Sequence, residues 1–240
     1  MKEIVIPTDT GELAGIWHEA SAKTEKVFII SHGFNGSIDG TSRAELLAEA
    51  VAQLGFHVLR YKFTPCQKLS CQIEELGYAA LYARQNLGSK LYLLGRSMGG
   101  SASLAFAHQD QAIEALCLWA TPGDLPETFR LALGDDYNKL AAGENITVSD
   151  DTGSLTLTPD FIQDFANYPL FRYVQELGEV PVLVLHGDQD QVVPVQQAHK
   201  MYETALEPKK LVIIRSGDHQ FKEVADQARV AVVQWLKGLE

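Results

Sequence analysis

Residues Lys90–Ser103 read KLYLLGRSMGGSAS. An apolar run ends on Gly95, Ser97 stands two residues on, and Gly99 and Gly100 precede a stretch of small residues. Gly95–Gly99 fits the pattern G-x-S-x-G between a strand and a helix. A strand-to-helix turn that sharp strains the serine backbone and leaves no room for side chains two positions to either side. It exposes the serine Oγ at the carboxyl end of a sheet, beside a helix N-terminus that favours negative charge. Two other readings compete: a glycine-rich βα turn without chemistry, and a phosphate loop. A phosphate loop wants GxxxxGK[ST], and no lysine follows here.

The segments around this turn decide its setting. KVFIISHG (26–33) and VPVLVLHG (180–187) are continuous apolar runs, as expected of strands covered on both faces. KEIVIPT (2–8) and LAGIWHEA (13–20) read as strands around Asp9-Thr10-Gly11. FHVLRY (56–61), LYLLG (91–95), IEALCLWA (113–120) and KLVIIRS (210–216) complete a set of about eight strands. Helical spacing predicts helices over 42–54, 72–87, 98–108, 195–206 and 221–239. Strands alternating with helices mean βαβ units, hence an α/β fold with a mostly parallel sheet covered on both faces. The interval from Thr121 to Tyr173 breaks this rhythm and is longer than an ordinary connection. Within it 145–158 reads as a hairpin around Asp151-Thr152-Gly153, and 159–165 as a short helix begun by proline. The expected organisation is one domain over 1–240 with an inserted cap over 122–173; the other reading of the insertion is a peripheral decoration.

Bulk composition narrows the partners. The 240 residues are 46% hydrophobic and carry a formal net charge of -11, with no basic cluster beyond Lys209-Lys210. That field repels polyphosphate and anionic lipid, so nucleic acid and membrane surfaces are not expected as partners. The opening MKEIVIPTDTGE has no apolar core of signal-peptide length, and three cysteines make an odd, small set. The expected compartment is the cytoplasm, with Cys66 and Cys71 as free thiols rather than a local bridge. No CxxC or HExxH suggests a metal, and no cofactor is expected. Nothing fixes the oligomeric state, a dimer included.

A serine attacks only when a base takes its proton, and the base is a histidine oriented by a carboxylate. Of seven histidines, His219 in RSGDHQF follows the final strand and precedes the final helix, at the edge where Ser97 stands. His32 and His186 each precede a glycine at a strand end and read as structural. The loop after the preceding strand, in VLVLHGDQDQVVP (182–194), offers Asp188 and Asp190. Asp190 lies clear of the strand and is favoured; Asp188 is placed to brace the loop, and Asp124 is a third candidate. The chain order Ser97, Asp190, His219 is that of an α/β-hydrolase triad. The oxyanion needs two donors: the N–H of Met98, directly after the nucleophile, and that of Phe34 in SHGFNGS.

These residues resemble the α/β-hydrolase superfamily, and within it serine esterases of the cinnamoyl/feruloyl esterase and monoacylglycerol lipase type. SHGFNG, LLGRSMGG, LHGDQDQVVP and GDHQF carry the resemblance, spread over residues 31 to 221. It implies an eight-stranded sheet, a cap after the sixth strand and a serine triad without cofactor, and it supports Ser97, Asp190 and His219 with Phe34 and Met98. Two features depart from it. Arg96 stands where such esterases usually have histidine, and a buried guanidinium there must find a carboxylate or carbonyl. The segment YKFTPCQKLSC (61–71) carries Lys62 where relatives tend to run into an Asp and a Gly-His-Gly turn.

Phe34, Met98, Trp119, Val192 and the cap residues Phe161, Phe165 and Phe171 are candidates for an apolar acyl pocket, with core packing as the other role of the phenylalanines. Trp119 and Val192 are the expected substrate contacts. The expected substrate is a small, neutral carboxylic ester with a short-to-medium or aromatic acyl group. Two alternatives use the same fold: an acyltransferase or thioesterase working through the same acyl-enzyme, and a catalytically idle binding module. Occupation of all three triad positions weighs against the second.

Overall fold

A computed structural model describes residues 1–39, 43–65, 68–150 and 153–239. Ser42, Cys66 and the first two residues of the expected Asp151-Thr152-Gly153 turn lie outside these. The chain opens with β1 (Lys2–Thr8) and β2 (Gly11–His18), an antiparallel pair. There follow β3 (Lys26–Ser31), α1 (Arg43–Ala52), β4 (His57–Tyr61), α2 (Leu69–Asn86), β5 (Lys90–Arg96), α3 (Met98–Gln109) and β6 (Ile113–Trp119). After the insertion come β9 (Val182–Gly187), α8 (Val195–Thr204), β10 (Lys209–Ile214) and α9 (Ala225–Lys237). The eight strands form one sheet in the order β1-β2-β4-β3-β5-β6-β9-β10. From β4 to β10 every pairing is parallel.

Alternation along each central strand divides the core into two layers. Val27 and Ile29 of β3, Leu91 and Leu93 of β5 and Val182 and Val184 of β9 face α2, α3 and α8. Phe28 and Ile30, Leu94, Cys117 and Trp119 face the other way, against α1 and α9. Both sides being covered, these strands can be apolar throughout, which is why they read as unbroken runs. Helix α3 is buried from Met98 to Ala107, and its small residues let it lie close to the sheet.

The insertion holds α4 (Leu125–Leu133), α5 (Asp135–Ala141), the β7–β8 hairpin (Ile146–Asp150 with Gly153–Leu157), α6 (Asp160–Gln163), a 3-10 turn (Asp164–Asn167) and α7 (Leu170–Glu176). The hairpin and the proline-led helix agree with the sequence, whereas α4, α5 and α7 were not legible in it. Each is one to three turns long, with Gly134 separating α4 from α5, so no apolar stripe is sustained. The last helix begins at Ala225, not at 221 as its periodicity suggests. Phe221 has a left-handed φ of 53° and turns its ring into the core against Trp119, centroids 5.3 Å apart. The apolar residue that extends the helical pattern is therefore a turn residue. No helix among the described residues is long and apolar enough to cross a membrane.

Candidate active site

Ser97 forms the corner between β5 and α3, with φ 52° and ψ -129°. For a non-glycine residue this left-handed φ is strained, and the surroundings hold it. The Ser97 N–H donates to the Trp119 carbonyl at 2.9 Å. A Cβ at Gly95 would lie 2.3 Å from the Gly99 carbonyl oxygen, and one at Gly99 2.1 Å from that of His32. Backbone blocks both positions, so the glycines are required by packing.

His219 lies in the loop after β10. Its Nε2 is 3.2 Å from Ser97 Oγ and its Nδ1 is 2.8 Å from Asp190 Oδ2. A carboxylate can only accept, so Nδ1 carries the proton and Nε2 is left to accept from the serine hydroxyl. The loops bearing Asp190 and His219 are fastened backbone to backbone. Gln189 N–H donates to the Gly217 carbonyl at 2.9 Å, and a Cβ at Gly187 would lie 2.1 Å from that same oxygen.

The Asp190 side chain is fully buried. Its Oδ1 accepts from the N–H groups of Val192 (2.9 Å) and Val193 (2.8 Å), and its Oδ2 also lies 3.3 Å from His186 Nε2. Burial alone raises a carboxyl pKa. Here hydrogen bonds from His186 and His219, the charge of His219 and the Val193 N–H outweigh it and hold Asp190 well below the usual carboxylate range. The two other acids have different tasks. Asp188 Oδ1 accepts from the Ser216 N–H at 2.7 Å and ties β9 to β10, while Asp124 caps α4 by accepting from Glu127 N–H at 2.9 Å. His32 is internally satisfied: Nδ1 pairs with the Gly33 carbonyl at 2.8 Å and Nε2 with the Phe63 N–H at 3.0 Å. The N–H groups of Phe34 and Met98 have no acceptor among the described residues.

Phe34 packs on the insertion, with ring centroids 5.4 Å from Phe129 and 5.3 Å from Phe161; Phe165 completes this buried cluster. Phe161 and Phe165 are thus packing residues. Phe171 lies apart, close beside Gly123 and under the Lys200 ammonium. Val192 is half-buried next to Asp190. Trp119 packs against Phe221 on the α1 and α9 side, where β6 alternation directs it, and lines one cavity together with Phe34.

Two contacts flank these residues: the first was not foreseen, and the second gives Arg96 the carbonyl expected of it. His186 reaches Asp190, one turn along the chain, so the carboxylate stands between two imidazoles; the i,i+4 spacing in HGDQD carries the signal. Arg96 donates from Nη2 to the His219 carbonyl at 2.6 Å and to Gln220 Oε1 at 3.1 Å, and Arg43 donates to the Gln220 carbonyl. The guanidinium before Ser97 thereby holds the main chain of the histidine loop. Only the fold brings positions 96 and 219 together.

Residues 27–234 match the family described as Uncharacterised protein family (UPF0227). Among curated proteins the chain is similar to the uncharacterized protein YfhR of Salmonella typhimurium, 30% identical over 141 residues, covering 54% of this chain and 40% of YfhR. It is also similar to lysophosphatidylserine lipase ABHD12 of Danio rerio, 26% identical, covering 82% of this chain and 55% of that protein. The chain thus spans about half the length of these relatives or less. Among solved structures, Est1E of Butyrivibrio proteoclasticus with ferulic acid bound superposes with a TM-score of 0.85 at 21% identity over 98% of both chains. The fold is that of the α/β-hydrolases.

Proposed function

We propose that this chain, which belongs to the UPF0227 family, is a serine ester hydrolase acting through an acyl-enzyme on Ser97. One observation carries the reading: a strained serine at a strand–helix corner faces a histidine at 3.2 Å that is itself held at 2.8 Å by a buried carboxylate. The chemistry follows from that geometry. His219 Nε2 takes the Ser97 proton as Oγ attacks the ester carbonyl, and Asp190 stabilises the imidazolium that forms. The N–H groups of Phe34 and Met98 receive the oxyanion. His219 gives its proton to the departing alkoxide, and a water then attacks the acyl-enzyme by the same relay.

The substrate is a small carboxylic ester with a short-to-medium or aromatic acyl group. Ferulic acid, named as bound to Est1E, supports the aromatic end of this range, whereas the lipase name of ABHD12 supports ester hydrolysis only in general. The insertion serves as the cap, its Phe129 and Phe161 packing on the Phe34 ring beside the oxyanion loop. The test is intact mass after fluorophosphonate treatment, followed by a p-nitrophenyl ester panel of increasing chain length. One adduct on wild type and none on Ser97→Ala is expected, with turnover highest for short or aromatic acyl groups. A folded wild type that takes no adduct, or one labelled equally in the variant, overturns the reading.

A further inference from the structure

We propose that the cavity behind the β3–α1 loop binds a small carboxylate with an apolar or aromatic body, its charge met by Arg96. The cavity has a volume of about 320 Å³. Ile30, Leu47, Leu94 and Trp119, members of the α1-side core, supply its apolar lining. Arg43 and Arg96 also line it, and among the described residues no aspartate or glutamate does. In a chain of net charge -11 this is a local reversal of sign.

Arg96 is the residue that calls for a ligand. It forms no ion pair with any carboxylate of the described residues, and only its Nη2 donates. Nε and Nη1 are left without an acceptor among those residues. Burial, with the charge of Arg43 added, pushes its pKa down to about 10 against the opposing pull of Asp190 and Asp218. A half-buried guanidinium with two nitrogens that meet no acceptor among the described residues can take a carboxylate oxygen on them. A single negative charge matches this one guanidinium, and the apolar lining favours an acid with a hydrocarbon or aromatic body over inorganic phosphate. Nη2 stays on the His219 carbonyl, so the ligand binds without releasing the histidine loop. The cavity also takes in Phe34 of the oxyanion loop, and Arg96 joins it to the histidine loop.

The test is calorimetric titration of Ser97→Ala protein with phenylacetate and, separately, phenylacetamide. The Ser97→Ala background keeps the outcome independent of whether the chain forms an acyl-enzyme. Phenylacetate is expected to bind at least about 10-fold more tightly than the amide, a gap of about 1.4 kcal/mol. Adding Arg96→Met is expected to remove that preference. Ala44→Phe adds bulk to the cavity wall on α1, is expected to abolish binding of the acid, and serves if the arginine variant does not fold. Equal binding of acid and amide, no binding at about 10 mM acid, or undiminished binding in Ala44→Phe protein overturns the proposal.

Discussion

Replacing Asp190 by asparagine separates the electrostatic role of the carboxylate from its packing. The amide keeps one oxygen, which can still accept from Val192 and Val193. Its NH₂ then occupies the place of Oδ2, 2.8 Å from His219 Nδ1 and 3.3 Å from His186 Nε2. A donor now faces His219 Nδ1, so the imidazole shifts to the tautomer protonated at Nε2, which has no lone pair for the Ser97 proton. In chymotrypsin-type enzymes the corresponding change costs about 10⁴ in rate. A loss of about 10³–10⁴ in fluorophosphonate labelling rate is expected here, about 4–5.5 kcal/mol of barrier. The assay is the second-order labelling rate at pH 7.5, read by intact mass. Stability offers a second readout. Because the Asp190 pKa is depressed in the fold, its contribution is present above the unfolded carboxylate value near 3.9 and lost as pH falls below it. The difference in urea midpoint between wild type and Asp190→Asn should therefore shrink from pH 6 towards pH 3. Asp188→Asn is the control: it weakens the Ser216 contact and leaves the labelling rate within a few-fold of wild type. If Asp190→Asn labels within 10-fold of wild type while Asp188→Asn is slow, the assignment of the acid is wrong.

Further outcomes follow from the packing and from one buried histidine. Gly95→Ala places a methyl 2.3 Å from a backbone oxygen and 2.4 Å from Gly100 Cα, neither of which can yield alone; thermal melts should show a loss of about 1–3 kcal/mol or more. Phe161→Ala opens a hole among Phe34, Phe129 and Phe165 and should cost about 3–5 kcal/mol in urea unfolding. His18 Nε2 lies 3.2 Å from Arg60 Nε; burial, the Arg60 charge and the chain's amino terminus push its pKa down to about 4. The unfolded chain takes up this proton first, so stability should fall as pH drops from about 6.5 to 4, and denaturation profiles of His18→Gln should be flatter across that window.

The sequence by itself determined the sheet and the three residues proposed to react. Apolar runs such as 26–33 and 180–187, short and closed by glycine, read as strands covered on both faces; the crowding at Gly95, by Gly99 and Gly100, is local, whereas that at Gly99 comes from the distant His32 carbonyl. Asp190 and His219 were legible because each follows a strand whose end lies on the same edge as Ser97, so topology alone brings them near. The insertion was half legible: a hairpin announces itself by pairing with its neighbour in sequence, but α4, α5 and α7 are short helices stabilised by tertiary packing. Tertiary structure alone decided what surrounds the triad. That Trp119 faces the α1 side, that Phe161 is packing for Phe34, and that Arg96 holds the histidine loop at the edge of a carboxylate-free cavity all depend on residues far apart in the chain. Periodicity reports which face of an element is apolar. It does not report which distant side chain or carbonyl that face will meet.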